Sequence, residues 1–290
     1  MKNFIFTEAY NCGKIAKVAL ESFFKHHDDV VNVIGLPKDF VPLSEFKDKV
    51  NFIDVSGDDR LRQLYTSGHA GTAYIFAKAV SRGYGSYDNV IHFDSDVYFI
   101  KECLSDLTSA LEEGYDLIGQ RRPYKHNKCG NNAVRGLHDT VGTCFFAVNT
   151  HKISTRPFPI LRGMCQGINN PLGHPVLDFF DPVTFDVLRN GGKIKFLDYM
   201  DYGSANENGS WDNDHPRLND VFDCGDKFIH FAGVGSGMAF HENGDGNVPK
   251  GYVDWTKSRY SLFSKMFYNE DIGIPYDTSI IGEVRELLYN

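Results

Sequence analysis

Two aspartates carry the first chemical signal in this sequence. In Asn89-Val90-Ile91-His92-Phe93-Asp94-Ser95-Asp96-Val97-Tyr98-Phe99-Ile100 they interrupt a run that otherwise reads as a buried strand. Val90, Ile91 and Phe93 precede the pair, and Val97, Phe99 and Ile100 follow it, which suits a strand covered on both faces in a parallel sheet. Ionised carboxylates set among apolar side chains are costly unless a cation or a dense set of hydrogen bonds compensates. In extended backbone, residues i and i+2 project to the same side roughly 6–7 Å apart, so Asp94 and Asp96 can reach one divalent ion, directly or through its water. An Asp at a strand end also caps a following helix or closes an Asx-turn. Neither aspartate has Gly or Pro beside it and the apolar run resumes at once, which favours the metal.

The chain that positions this pair is globular by composition. Its 290 residues are 42% hydrophobic with 23 Phe and 15 Tyr, enough for a sizeable core in one large or two small domains. A net charge of -8, with no basic run beyond Arg121-Arg122, argues against nucleic-acid binding. Cysteines at 12, 103, 129, 144, 165 and 224 form no C-x-x-C pair, so reduced core residues are expected rather than a zinc site or a disulfide framework. The apolar part of Met1 to Glu8 is too short for a signal peptide and no run approaches a transmembrane span, so the expected location is cytoplasmic.

Taken in order, Phe4 to Thr7 reads as a strand and Cys12 to Lys25 as a helix with Ile15, Val18, Ala19 and Phe23 on one stripe. Val30 to Ile34 and Val50 to Val55 are further strands. Strand, helix and strand in so short a span make a βαβ unit with a right-handed connection, hence a doubly wound N-terminal half. Ligands of such sheets bind beyond the carboxyl ends of the strands, which nominates Thr7, Glu8, Ala9, Tyr10 and Asn11, and Asp54, Val55 and Ser56. Helix capping by Thr7 or Asn11, or strand termination by Asp54, explains the same residues. A helix beginning at Thr66-Ser67-Gly68-His69-Ala70-Gly71 offers free N–H groups to a diphosphate; Gly68 and Gly71 also suit close packing on a sheet. This helix leads through Tyr87-Asp88 into the strand of Asp94 and Asp96.

An N-terminal βαβ, a Gly-rich helix start and an apolar strand ending in D-x-D resemble the nucleotide-sugar-binding half of the GT-A-fold glycosyltransferases. Downstream, Asp116-Leu117-Ile118-Gly119 and Val141 to Asn149 resemble the strands that follow in that superfamily. Asp181 to Leu188, then Gly192 to Asp198, resemble the helix and strand after the D-Q-D segment of the retaining glycogenin-like families, with Pro182 in place of Gln. Phe228-Ile229-His230-Phe231-Ala232-Gly233 resembles their H-x-x-G; the customary K-P-W is replaced by Val234-Gly235-Ser236-Gly237.

The resemblance implies a GT-A, Rossmann-like α/β fold with a mixed, mostly parallel sheet flanked by helices. Residues 1–245 would form the transferase domain, 1–100 its nucleotide-sugar half and 101–245 its acceptor half, with 246–290 a helical extension packed on it. It implies Asp94, Asp96 and His230 around Mn2+, or Mg2+, on the diphosphate of a nucleotide sugar, UDP favoured. Gly71, Ser95 and Gly233 would join the residues at the strand ends around the donor. The acceptor would be a glycan or glycoconjugate and the outcome retaining. By residue type, the imidazole of His230 favours Mn2+; one His in an apolar run also suits a core position, while the flexible Gly-x-Gly-x-Gly loop expected from Gly233 to Gly237 suits a metal shell. A second carboxylate would steady the oxocarbenium-like centre or, in an inverting enzyme, remove the acceptor proton, Asp181 first and Asp178 its rival, although Asp181 before Pro182 equally fits a helix start.

Gln120 to Asn127 and Arg162 to Pro175 read as long acceptor or lid loops, and Asn206 to Asp214 places Trp211 in a turn that could stack on a sugar. Tyr252 to Phe267 and Ser279 to Leu288 read as amphipathic helices docked on the same domain. Three other classes fit parts of the pattern. A haloacid-dehalogenase-type phosphatase would use Asp94 and Asp96 as nucleophile and acid/base, but that motif normally opens its domain. A nucleotidyltransferase would share substrate and metal but needs a Gly-rich basic loop that Phe4 to Phe6 do not lead into. A non-catalytic sugar-nucleotide-binding protein is the third.

Overall fold

A computed structural model describes residues 1–59, 86–122, 140–153, 181–197, 223–244, 250–276, 278–279 and 281–289. The chain forms two compact units: Met1–Phe6, Gly57–Asp94 and Cys103–Asp198, and Thr7–Ser56, Ser95–Glu102 and Tyr199–Asn290.

Strand β1 (Asn3–Glu8), whose residues Asn3–Phe6 belong to the first unit, pairs there in parallel with β4 (Asn89–Phe93), with Phe6 level with His92. All five residues of β4 are buried, as its apolar sequence requires. Its other neighbour is the antiparallel β7 (Thr140–Asn149), which also pairs with β6 (Leu117–Arg122); β6 runs parallel to β8 (Ile194–Leu197). Helix α3 (Leu104–Glu112) packs on β6 and β7, and α4 (Asp181–Arg189) on β7 and β8. A Cβ on Gly119 of β6 would lie 2.5 Å from Val141 Cγ1. Only glycine lets the two strands meet there, and the register shifts immediately after it.

In the second unit, helix α1 (Gly13–His26) buries the face carrying Ile15, Val18, Ala19 and Phe23. Strand β2 (Val31–Gly35) pairs in parallel with β3 (Val50–Asp54), and the short helix α2 (Pro37–Phe40) lies between them in the chain. A small antiparallel sheet runs in the order β5 (Val97–Phe99), β10 (Phe228–His230), β9 (Asp223–Cys224). Helices α5 (Val234–Asn243), α6 (Lys250–Tyr268) and α7 (Ile281–Tyr289) follow. Tyr260, Leu262, Phe263 and Met266 of α6 and Val284 of α7 share one core with Ile15, Val18, Tyr98, Ile229 and Phe231.

The larger strand order is β3-β2-β1-β4-β7-β6-β8, a mixed, mostly parallel seven-stranded sheet. The chain moves outward from β1 to β3 and restarts at β4 on the other side of β1. Such a reversal is where α/β sheets bind ligands, beyond the carboxyl ends of the adjoining strands. Among the described residues, no helix is long and apolar enough to cross a membrane.

Three sequence expectations change. The aspartate pair does not sit within one extended strand: β4 stops at Phe93, Ser95 and Asp96 turn, and β5 joins a different sheet. Apolar runs on both sides of the turn look continuous because each is buried in its own sheet. Gln120, Arg121 and Arg122 belong to β6 rather than to a loop; Gln120 is buried there and its Oε1 accepts from Cys144 Sγ at 2.8 Å. Finally, Val234-Gly235-Ser236-Gly237 opens α5 instead of forming a flexible loop. The glycines serve packing, since a Cβ on Gly237 would lie 2.1 Å from the Thr256 carbonyl oxygen.

Candidate functional site

Asp94 follows β4 directly, and its N–H donates to the Cys144 carbonyl at 2.9 Å, one step beyond the β4–β7 ladder. Asp96 precedes β5. In the β5–β10 ladder His230 lies opposite Val97, and the Phe231 N–H donates to the Asp96 carbonyl at 2.8 Å. This pairing brings His230 Nε2 within 3.4 Å of Asp96 Oδ1, both side chains largely shielded. One ligand atom from each of Asp94, Asp96 and His230 lies within 4.8 Å of the others. Two carboxylates and an imidazole form a mixed oxygen and nitrogen donor set that fits Mn2+ better than Mg2+.

Asp94 belongs to a second group with Glu8 and His92, whose ligand atoms also lie within 4.8 Å of one another. His92 is held between the rings of Phe6 and Phe146, at 4.6 and 5.1 Å. Its Nδ1 is 3.1 Å from the Thr143 carbonyl. A carbonyl only accepts, so Nδ1 carries the proton and Nε2 faces Asp94 Oδ1 at 3.7 Å. Sequence alone nominates Glu8 at the end of the first strand and does not single out His92. Their signal is strand register: His92 shares a pleat with Asp94, and Glu8 ends the strand paired with β4.

The remaining nominated residues divide clearly. Ser95 is buried, its Oγ 3.4 Å from Cys12 Sγ. Burial pushes the Cys12 thiol well above its ordinary pKa, with the Ser95 hydrogen bond opposing, which disfavours the thiolate. Thr7 is fully buried and its Oγ1 has no hydrogen-bond partner among the described residues. Ala9 and Tyr10 are also buried, and the Ala9 N–H donates to Ile34. Asn11 adopts φ 57°, and its N–H donates to Asp39 Oδ2 at 3.0 Å. That carboxylate oxygen also accepts from the Leu36 N–H at 3.1 Å, while burial raises the Asp39 pKa.

Asp54 accepts from the N–H and Oγ of Ser56 at 2.8 and 3.0 Å, a local turn at the end of β3. Gly233 adopts φ +84° at the start of α5, where a Cβ would lie 2.6 Å from Trp255 Cζ3. Both the left-handed backbone and the ring demand glycine. Asp181 begins α4, with its side chain outside the described residues. Asp178, Gly71, Trp211 and the segments from Arg162 to Pro175 and Asn206 to Asp214 also lie outside them.

No protein-family model matches the chain, and no curated protein does. Similar solved structures include glycosyltransferases. The apo form of mouse xyloside xylosyltransferase 1 is 14% identical at TM-score 0.45, covering 68% of this chain and 85% of that one. The galactosyltransferase LgtC in complex with donor and acceptor sugar analogues is 16% identical at TM-score 0.43, covering 67% and 73%. The 4-diphosphocytidyl-2C-methyl-D-erythritol synthase of Anaerococcus prevotii is 10% identical at TM-score 0.40, covering 68% and 86%. Likenesses this distant do not decide activity, and the fold is read from the strand order.

Proposed function

We propose that the chain is a metal-dependent glycosyltransferase that moves a sugar from a nucleoside-diphosphate donor, UDP-linked by preference, to a hydroxyl of a glycan or glycoconjugate. The observation that carries this reading is the convergence of Asp94, Asp96 and His230 beyond the carboxyl end of β4, beside the reversal in strand order. In this reading those three residues hold Mn2+, and residues 1–245 form the transferase domain with 246–290 packed on it. A divalent ion so held supplies Lewis-acid stabilisation to the diphosphate leaving group. The three side chains orient the donor and keep its diphosphate at the end of β4. Thr7, whose buried hydroxyl has no hydrogen-bond partner among the described residues, offers a donor group near the end of β1. Asp181, or Asp178, would face the sugar, with a retaining outcome. The Asp96–His230 pairing favours a shared cation over a phosphatase in which Asp96 must carry a proton as acid and base.

Thermal unfolding with UDP and Mn2+, together and separately, tests the reading. UDP should raise the midpoint only when Mn2+ is present, by the equivalent of about 2.7 kcal/mol at a hundredfold excess over Kd. Asp96→Asn and His230→Ala should each weaken Mn2+ binding by more than about tenfold. Equal binding by both variants rules out the metal assignment, and release of inorganic phosphate from phosphomonoesters, lost in Asp94→Asn, would replace the transferase by a phosphatase.

A further inference from the structure

The turn after His230 is built by a helix that follows it in the chain. The Phe231 ring packs edge-on against Phe263 and Phe267 of α6, at 5.3 and 5.6 Å. Arg259 of α6 donates from Nη1 to the Ala232 carbonyl at 2.9 Å. The Arg259 guanidinium lies over the Trp255 ring at 4.2 Å, and the edge of that ring fills the space where a Cβ on Gly233 would sit. One guanidinium thus fixes the Ala232 peptide, and one indole covers the next residue.

We propose that Arg259, seated on Trp255, is a positioning residue for the metal site, acting through the Ala232–Gly233 turn to set the orientation of His230. The physical basis is that a planar guanidinium stacked on a ring has little freedom left, so its hydrogen bond holds the Ala232 carbonyl in one orientation. His230 leaves β10 two residues earlier, with Phe231 tied on one side to the Asp96 carbonyl and on the other to α6. Groups that orient metal ligands from behind typically change metal affinity by about 10–100-fold when removed. The inference rests on the metal-site reading above and gives the C-terminal helix a role in that site beyond packing.

Mn2+ titration followed by electron paramagnetic resonance, with the unfolding midpoint measured on the same samples, tests it. Arg259→Met keeps the apolar stem and should bind Mn2+ more weakly by about 10–100-fold, with a midpoint close to the parent's. Arg259→Lys, which restores a donor toward Ala232, should recover part of that loss. Should Arg259→Met not fold, Trp255→Phe, which removes the full stacking surface, should weaken binding in the same direction. Parent-like affinity in the folded variants overturns the positioning role, as does a loss in Arg259→Lys equal to that in Arg259→Met. If the parent itself binds no Mn2+, the metal-site reading falls and this inference with it; if the parent binds and Arg259→Met binds equally well, only the inference falls.

Discussion

Gly237 shows how a single missing atom fixes the second unit's helices. A Cβ there would lie 2.1 Å from the Thr256 carbonyl oxygen and 2.9 Å from the Tyr260 Cβ, and backbone atoms cannot swing aside as a side-chain tip can. Gly237→Ala should destabilise the protein by about 1–3 kcal/mol, read as a lower denaturant midpoint at unchanged slope. Asp39 makes a complementary case, because its buried carboxylate accepts the N–H groups of Asn11 and Leu36. Removing it in Asp39→Ala leaves two donors to be satisfied otherwise and should cost about 1–3 kcal/mol by the same measurement. At this scale Asp94 and Asp96 were legible because carboxylates are conspicuous in an apolar run. Glu8 was legible only as one of several residues at a strand end, and His92 not at all: a histidine within a strand is ordinary until register puts it beside Asp94.

Helix α1 ends on His27, a buried imidazole against the rings of Phe23 and Phe99 at 4.5 and 5.8 Å. Burial lowers its pKa from 6.5, with the Glu102 carboxylate 3.5 Å away opposing. A lowered folded value means that the neutral ring is favoured by the fold. Its contribution is fully present above pH 6.5 and is lost as pH falls through the lowered folded value. Unfolding midpoints measured between pH 7 and about 5 should therefore fall, and His27→Gln should flatten the part of the slope owed to this group; an unchanged slope would show that His27 contributes nothing. The stripe of α1 was readable because a period of 3.6 with apolar side chains has one physical solution. The opening of α5 was not. Glycines weigh against a helix by intrinsic propensity, and only the approach of α6 explains why they stand there. The change of sheet between β4 and β5 was hidden for a related reason, since two buried strands and one interrupted strand have the same apolar signature.

At the scale of the whole molecule, the question is whether residues 246–290 are an addition to the fold or a part of it. Sequence periodicity indicated amphipathic helices that dock, but an apolar stripe does not name the surface it covers. In the structure, Tyr260, Leu262, Phe263, Met266 and Val284 are buried with Ile15, Val18, Tyr98, Ile229 and Phe231 in one core. The end of α6 also reaches the beginning of α1, where Lys14 pairs with Glu270 at 3.3 Å and the Tyr268 hydroxyl donates to the Lys14 carbonyl. The exposed ion pair adds little; the weight lies in the aromatic and aliphatic burial, at about 1.5–3 kcal/mol for each fully buried large side chain. Five such residues together contribute roughly 7.5–15 kcal/mol, comparable to the roughly 5–15 kcal/mol by which whole domains are stable. A chain ending at Gly244 should therefore lose its cooperative thermal transition and its near-ultraviolet circular dichroism, and lose Mn2+ binding with them, because β10 would have one face stripped of cover. A shortened chain that unfolds in one sharp transition and still binds Mn2+ with UDP would show instead that the helices are dispensable, and that strand pairing between β5 and β10 alone suffices to hold His230 beside Asp96.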